Sequence, residues 1–349
     1  MPSAVHRRST AIGLSLFAGA AVGYLATLLG TVAAPWWPLK LLLSGANAFF
    51  LSILFVIGHD ACHGALTPRP WLNAILGRLA FLPSWHPYAG WEHAHNHIHH
   101  AWTNLRSKDY AWAPFSQADY DALPSWRRWL VRFYRTPLGM GPYYFLEVYL
   151  RRTIFPARAF RGRMRMPRFY ADCLWVAVFL AAQGAVLILA RKGCGSNASI
   201  FATLFYGQWL PFVIWNWLIG FLIFLHHTHP RIPWFDDPQE WTFYKGQIQG
   251  TAHVLFPGPI NWLVHNIMEH TAHHADPRVP LYHLGAAQES LATAFPEDVV
   301  EHKFSWRSFR YTLRVCQLYD YQAHCWTNWA GVPTSSQTLE RSPELAASL

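Results

Sequence analysis

The chain has 349 residues, of which 52% are hydrophobic, 16% aromatic and 13% charged. Soluble proteins carry about 25% charged residues, so the composition excludes a disordered chain and argues against an ordinary soluble domain, while a mean hydropathy of +0.08 excludes a chain buried in lipid throughout. The net charge of +9 suits an anionic membrane surface, and no nucleic-acid-binding module is in view, so nucleic acid is not an expected partner.

Four stretches lack any charged residue: 9–33, 41–58, 173–190 and 201–225. Each is close to or beyond the roughly 20 apolar residues that cross about 30 Å of hydrocarbon. The first pair is joined through Pro35-Trp36-Trp37-Pro38 and the second through a Gly/Ser/Asn loop, so each pair reads as a helical hairpin. A cleaved signal peptide is set aside, because the first stretch is too long and a second follows at once. Trp71 to Leu82 is apolar but too short to span, which predicts a helix lying in the membrane plane. From Trp126 to Tyr170, arginines alternate with aromatic residues, a mixture suited to anionic headgroups. Residues 1–330 read as one domain, and 331–349, rich in Ser, Pro and Glu, as a disordered tail. Of the 28 Lys and Arg, 25 fall in residues 1–8, 59–172 and 226–349. By the positive-inside rule both termini and a cap made of 59–172 and 226–330 are cytoplasmic. The five cysteines (Cys62, Cys173, Cys194, Cys316, Cys325) form no C-x-x-C pair, so neither a thiolate metal site nor a disulfide framework is indicated.

Histidine is unusually abundant: there are 20, and 19 lie in the two large polar segments, just beyond the expected helix ends. A transporter would place ionisable groups at the bilayer midplane instead. His59 and His63 are four apart, so they share a helical face. His95 and His99 do the same, with His100 the next step round. His270, His273 and His274 converge at i, i+3 and i+4. These eight positions exceed the three or four protein ligands of a single-metal site, which argues for two metals. Imidazole alone leaves zinc, iron, copper and nickel open. A soluble zinc hydrolase is disfavoured because no H-E-x-x-H motif occurs.

The order H-x-x-x-H, H-x-x-x-H-H, H-x-x-H-H resembles the integral-membrane fatty acid desaturase family over about residues 40–320. His95-Asn-His-Ile-His99-His100-Ala-Trp-Thr103-Asn104 is similar to its acyl-lipid branch, as is Leu225-His-His227-Thr-His229-Pro230 followed by Glu240-Trp241 and Lys245-Gly246. His270-Thr-Ala-His273-His274 leading to Pro280-Leu-Tyr282 is similar to the Δ12/ω-6 type. Two features depart from that pattern: the third box begins one residue nearer His265, and position 226 is His where the pattern usually has Gln.

The resemblance implies an all-α integral-membrane fold, with four spans in two hairpins and a cytoplasmic helical cap carrying a di-metal site. It implies two non-haem irons, with O2 as co-substrate and two electrons supplied from outside. Carried over by motif, the ligands are His59, His63, His95, His99, His100, His270, His273 and His274. A ninth is expected from the end of the last span: His227, with His229 and His265 as competitors. His93 and His97 are expected to bond carboxylates or water around those ligands, and Asp60, Glu92, Glu269 and Asp276 to receive ligand N–H groups. His6, His86, His253, His283, His302 and His324 read as ordinary polar residues. The implied activity is insertion of a double bond into an acyl chain carried by phospholipid, coenzyme A or acyl carrier protein. Triple-bond formation or hydroxylation are alternatives within the family, and a histidine-rich metal transporter is one from another class. No His-Pro-Gly-Gly signature appears, so a separate ferredoxin or cytochrome b5 is the expected electron donor.

Overall fold

Backbone polar groups in lipid must pair within their own segment, and the apolar stretches accordingly form helices. The structure, a computed structural model, describes residues 1–162 and 164–339. In chain order the principal helices are α1 (Thr10–Ala33), α2 (Trp37–Cys62), α3 (Pro70–Phe81), α4 (Ser125–Tyr134), α5 (Met166–Gly193) and α6 (Ile200–His227). Three shorter ones follow: α7 (His270–Ala275), α8 (Leu284–Ala294) and α9 (Trp306–Val315). By length and composition α1, α2, α5 and α6 can each cross a membrane.

All four overrun or shift from the uncharged stretches that announced them, and two of the charges taken in, Lys40 and Asp172, are satisfied locally. Lys40, near the start of α2, donates to the carbonyls of Thr31 and Val32 at 2.7 and 3.3 Å, covering acceptors left open at the end of α1. Asp172, near the start of α5, accepts from Arg78 Nε at 3.0 Å and from the Ala89 N–H at 2.7 Å.

The chain divides into two compact units. One comprises Arg8–Ala94 and Gly141–Gly220; the other comprises Met1–Arg7, His95–Met140 and the chain from Phe221 onward. Within the first unit, Asn47 of α2 donates to Tyr24 O of α1 at 2.8 Å, and Gln183 of α5 to the Tyr24 hydroxyl at 2.7 Å. Helix α3 packs against α2 through glycine: a Cβ at Gly58 would lie 2.6 Å from the Phe81 ring. Gly77 of α3 similarly leaves room for Tyr88, whose ring carbon would lie 2.4 Å from an added Cβ. His86, which read as an ordinary polar residue, is instead buried among the rings of Phe55, Trp91 and Trp215. Its nitrogens meet Ser84 O at 2.7 Å and the Tyr144 hydroxyl at 3.0 Å, and burial pushes it down to about 3.

The second unit adds two small sheets that an all-helical reading did not anticipate. Strands β1 (Ala252–Leu255) and β2 (Val300–Lys303) pair in parallel, with α7 and α8 in the crossover between them. Strands β3 (Leu318–Asp320) and β4 (Cys325–Thr327) form a hairpin. Residues 331–339 are not the start of a loose tail. Thr334 donates to Val315 O and Trp326 O, and Thr338, buried, donates to His324 O at 2.8 Å. Those anchors outweigh a composition that suggested disorder; residues 340–349 of the expected tail lie outside the described residues.

Candidate metal centre

Helix α2 ends at the first box. His59 and His63 close its last turn, ring centroids 4.8 Å apart, and Asp60 is buried on the same turn.

The second box departs from α-helical geometry. Residues His93–His99 form a π-helix, in which N–H groups bond five residues back. His100 N accordingly donates to His95 O at 2.9 Å. The extra residue per turn brings His95 and His100 into register, with Nε2 atoms 3.1 Å apart. His99, expected to face the same way as His95, is rotated elsewhere. The third box divides similarly. His270 and His274 meet edge to face with ring centroids 4.5 Å apart, whereas His273 points its Nε2 to within 3.1 Å of His100 Nε2.

Two groups of ring nitrogens result in the second unit. His95, His100 and His273 form one; His99, His227, His270 and His274 form the other, and within each group the donor atoms lie within 4.8 Å of one another. His227 joins from the end of α6, its Nε2 3.0 Å from that of His270. Of its competitors, His229 stacks on His302 at 4.9 Å, and neither it nor His265 belongs to a group. His226, at the departing position, stacks at 3.8 Å on His270.

Hydrogen bonds fix which nitrogen of two rings is free. Gln247 donates its amide N–H to His100 O at 2.6 Å, which turns its oxygen toward His274 Nδ1 at 2.8 Å. An amide oxygen only accepts, so Nδ1 of His274 carries the proton and Nε2 is a bare lone pair. That Nε2 is buried and has no hydrogen-bond partner. Asp109 does the same for His99: its Oδ1 lies 2.9 Å from His99 Nδ1 while Oδ2 accepts from Asn104 N. Burial, then neighbouring imidazoles, pushes His270 and His274 well below the ordinary imidazole value, which favours the neutral form that a metal would need.

These features fit metal ions. His100 Nε2 faces two other ring nitrogens at 3.1 Å each, and one proton cannot satisfy three lone pairs, whereas one cation can. The all-imidazole donor set admits iron among the divalent metals.

Two of the expected carboxylate partners, Glu269 and Asp276, serve elsewhere. Glu269 contacts His253 Nε2 at 2.5 Å and accepts from Asn261, and Asp276 pairs with His6 and Arg278. His93 meets Phe160 O at 2.9 Å, and His97 is exposed. For Glu269 and Asp276, nearness to a box in sequence does not put the carboxylate on a ring of that box. Asp109 lies ten residues beyond His99, and the turn at Asn104 (φ +62°) brings it back. Gln247 directly follows the Lys245-Gly246 word that marked the resemblance, and Trp241 of the same stretch donates to Thr103 O at 2.8 Å.

Comparison with known proteins agrees. The fatty acid desaturase family model matches residues 10–306. The chain is 30% identical over 314 residues to the chloroplastic omega-6 fatty acid desaturase of Spinacia oleracea, covering 88% of this chain and 65% of that protein. It is 31% identical over 298 residues to an sn-1 oleoyl-lipid 12-desaturase of Picosynechococcus sp., covering 82% and 78%. For the corresponding Synechocystis sp. enzyme the identity is 28% over 305 residues, covering 86% and 80%. The chain thus spans just under two thirds of the spinach relative and more of the cyanobacterial ones. With a family match over most of its length, the chain belongs to the fatty acid desaturase family.

Proposed function

We propose that this protein is an O2-dependent desaturase that introduces a double bond into the acyl chain of a membrane lipid. The observation that carries it is the pair of buried imidazole groups in a chain that also has four helices long and apolar enough to cross a membrane. The overall change is a –CH2–CH2– unit plus O2, two electrons and two protons giving –CH=CH– and two waters. The 12-desaturase names of the relatives favour an acyl-lipid substrate over soluble carriers.

In this reading His99, His227, His270 and His274 hold one iron. His95, His100 and His273 hold the other, and His59 and His63 are assigned as ligands from the first-box motif alone. Bound there, a reduced iron pair supplies O2 activation and the oxidising power to remove hydrogen from an unactivated methylene. The protein's part is to hold the rings. Asp109 and Gln247 keep Nε2 of His99 and His274 deprotonated, and burial keeps the imidazoles neutral.

The four apolar helices pair as two hairpins, with both termini and the histidine-bearing segments on the cytoplasmic side. Electrons come from a separate redox protein. Mass spectrometry of acyl chains, with double bonds mapped, from a host expressing the chain with an electron donor tests the activity. New double bonds are expected; unchanged unsaturation with new hydroxy or acetylenic acids would overturn it. Metal analysis of the purified protein should give about two irons per chain, and a single zinc would contradict the assignment.

A further inference from the structure

Two short helices of the second unit share an unusual composition. Helix α4 reads Ser-Trp-Arg-Arg-Trp-Leu-Val-Arg-Phe-Tyr and α9 reads Trp-Arg-Ser-Phe-Arg-Tyr-Thr-Leu-Arg-Val, with three arginines and no acidic residue in each. Both bury a narrow apolar edge, Val131 and Tyr134 in α4, Phe309 and Leu313 in α9. Both leave aromatics outside: Trp126 and Trp129 are 66% exposed and Trp306 is 56% exposed. On α9 the spacing of Arg307, Arg310 and Arg314 puts all three on the solvent face.

Two contacts locate these helices. Phe309 of α9 packs on Phe221 and Phe224 of α6 at 5.1 and 5.9 Å, and Trp306 lies 6.2 Å from Phe221. Phe221 is six residues before the end of α6, about 9 Å along the axis, so α9 lies against the terminal turns of an apolar helix. Arg135, at the end of α4, donates to Cys316 O at the end of α9 at 3.1 Å, fastening the two helix ends together.

We propose that α4 and α9 act together as a binding surface for anionic phospholipid, their arginines taking headgroup phosphates while Trp126, Trp129 and Trp306 enter the acyl boundary. Cations flanked by exposed indoles are the chemistry of a membrane interface. A soluble acidic protein would match the charge but would not call for three exposed tryptophans. The proposal rests on the membrane reading of α6.

The test uses the full chain in nanodiscs of phosphatidylcholine with a minority of phosphatidylglycerol, and native mass spectrometry of the lipids retained on the extracted protein. Wild type should retain phosphatidylglycerol above its bulk share. R307E/R310E/R314E and R127E/R128E should each lower that enrichment by about tenfold, while the matching Lys variants keep it and raised salt weakens it. Equal retention in all variants overturns the proposal. So does an unchanged lipid ratio accompanied by a raised KM for an acidic electron-donor protein, which would make the surface a protein dock. Failure of the wild type to enter nanodiscs would instead defeat the membrane reading, and this proposal with it.

Discussion

Asp109 and Gln247 illustrate how a residue far from a motif decides what the motif can do. Each fixes the tautomer of one box histidine, and removal of such partners typically costs about 10–100-fold in metal affinity. Asp109→Asn and Gln247→Leu should therefore release iron at about tenfold or more lower chelator concentration, measured as metal per chain after graded dialysis, with the helical circular dichroism unchanged. Wild-type retention in both would mean that neither bond matters to the ligand it touches. Neither residue was legible in the sequence, because proximity to a box in sequence says little about direction; the four acidic residues nearest the boxes were the natural choice, and Glu269 and Asp276 proved to be engaged with other partners. His253 supplies a pH-dependent counterpart. Burial alone would lower its pKa, but Glu269 and Glu301 on either side outweigh that and hold it above the ordinary value. A raised pKa contributes stability that is full below about pH 6.5 and fades as pH climbs through the raised value. His253→Gln should accordingly lower Tm most in mild acid, with the gap to wild type closing as pH rises; a gap constant across pH would contradict the charged pair.

At the scale of elements, the apolar stretches were legible because charge-free length is a direct consequence of lipid thickness; α1, α2 and α6 follow them within four residues at each end, and α5 starts seven residues early. The π-helix at the second box was not. Histidines at 95, 99 and 100 read naturally on an α-helical template, and nothing in their identities announces the wider turn that pairs His95 with His100. This geometry has a measurable consequence. His95→Ala and His100→Ala should behave alike, each losing one of two metals, and the double variant should lose no more than either single. His95→Ala combined with His99→Ala should lose both metals, since those residues fall in different groups. Iron counting on the four proteins checks this; a His95/His100 double variant stripped of both metals would refute the grouping.

For the molecule as a whole, the proposed topology puts the loop between α5 and α6 on the outer face, and Cys194 in that loop is exposed. A membrane-impermeant maleimide added to intact cells should label Cys194, and Cys194→Ser should abolish that labelling. Modification only after lysis would invert the proposed topology. The parallel pairing of β1 with β2 bears on how the enzyme is made. The third box lies on the crossover between the two strands, and β2 follows the last box histidine in the chain. The strand that closes the loop carrying the third box therefore does not exist until every box histidine has been synthesised, so β1 must wait for the whole crossover before it can pair.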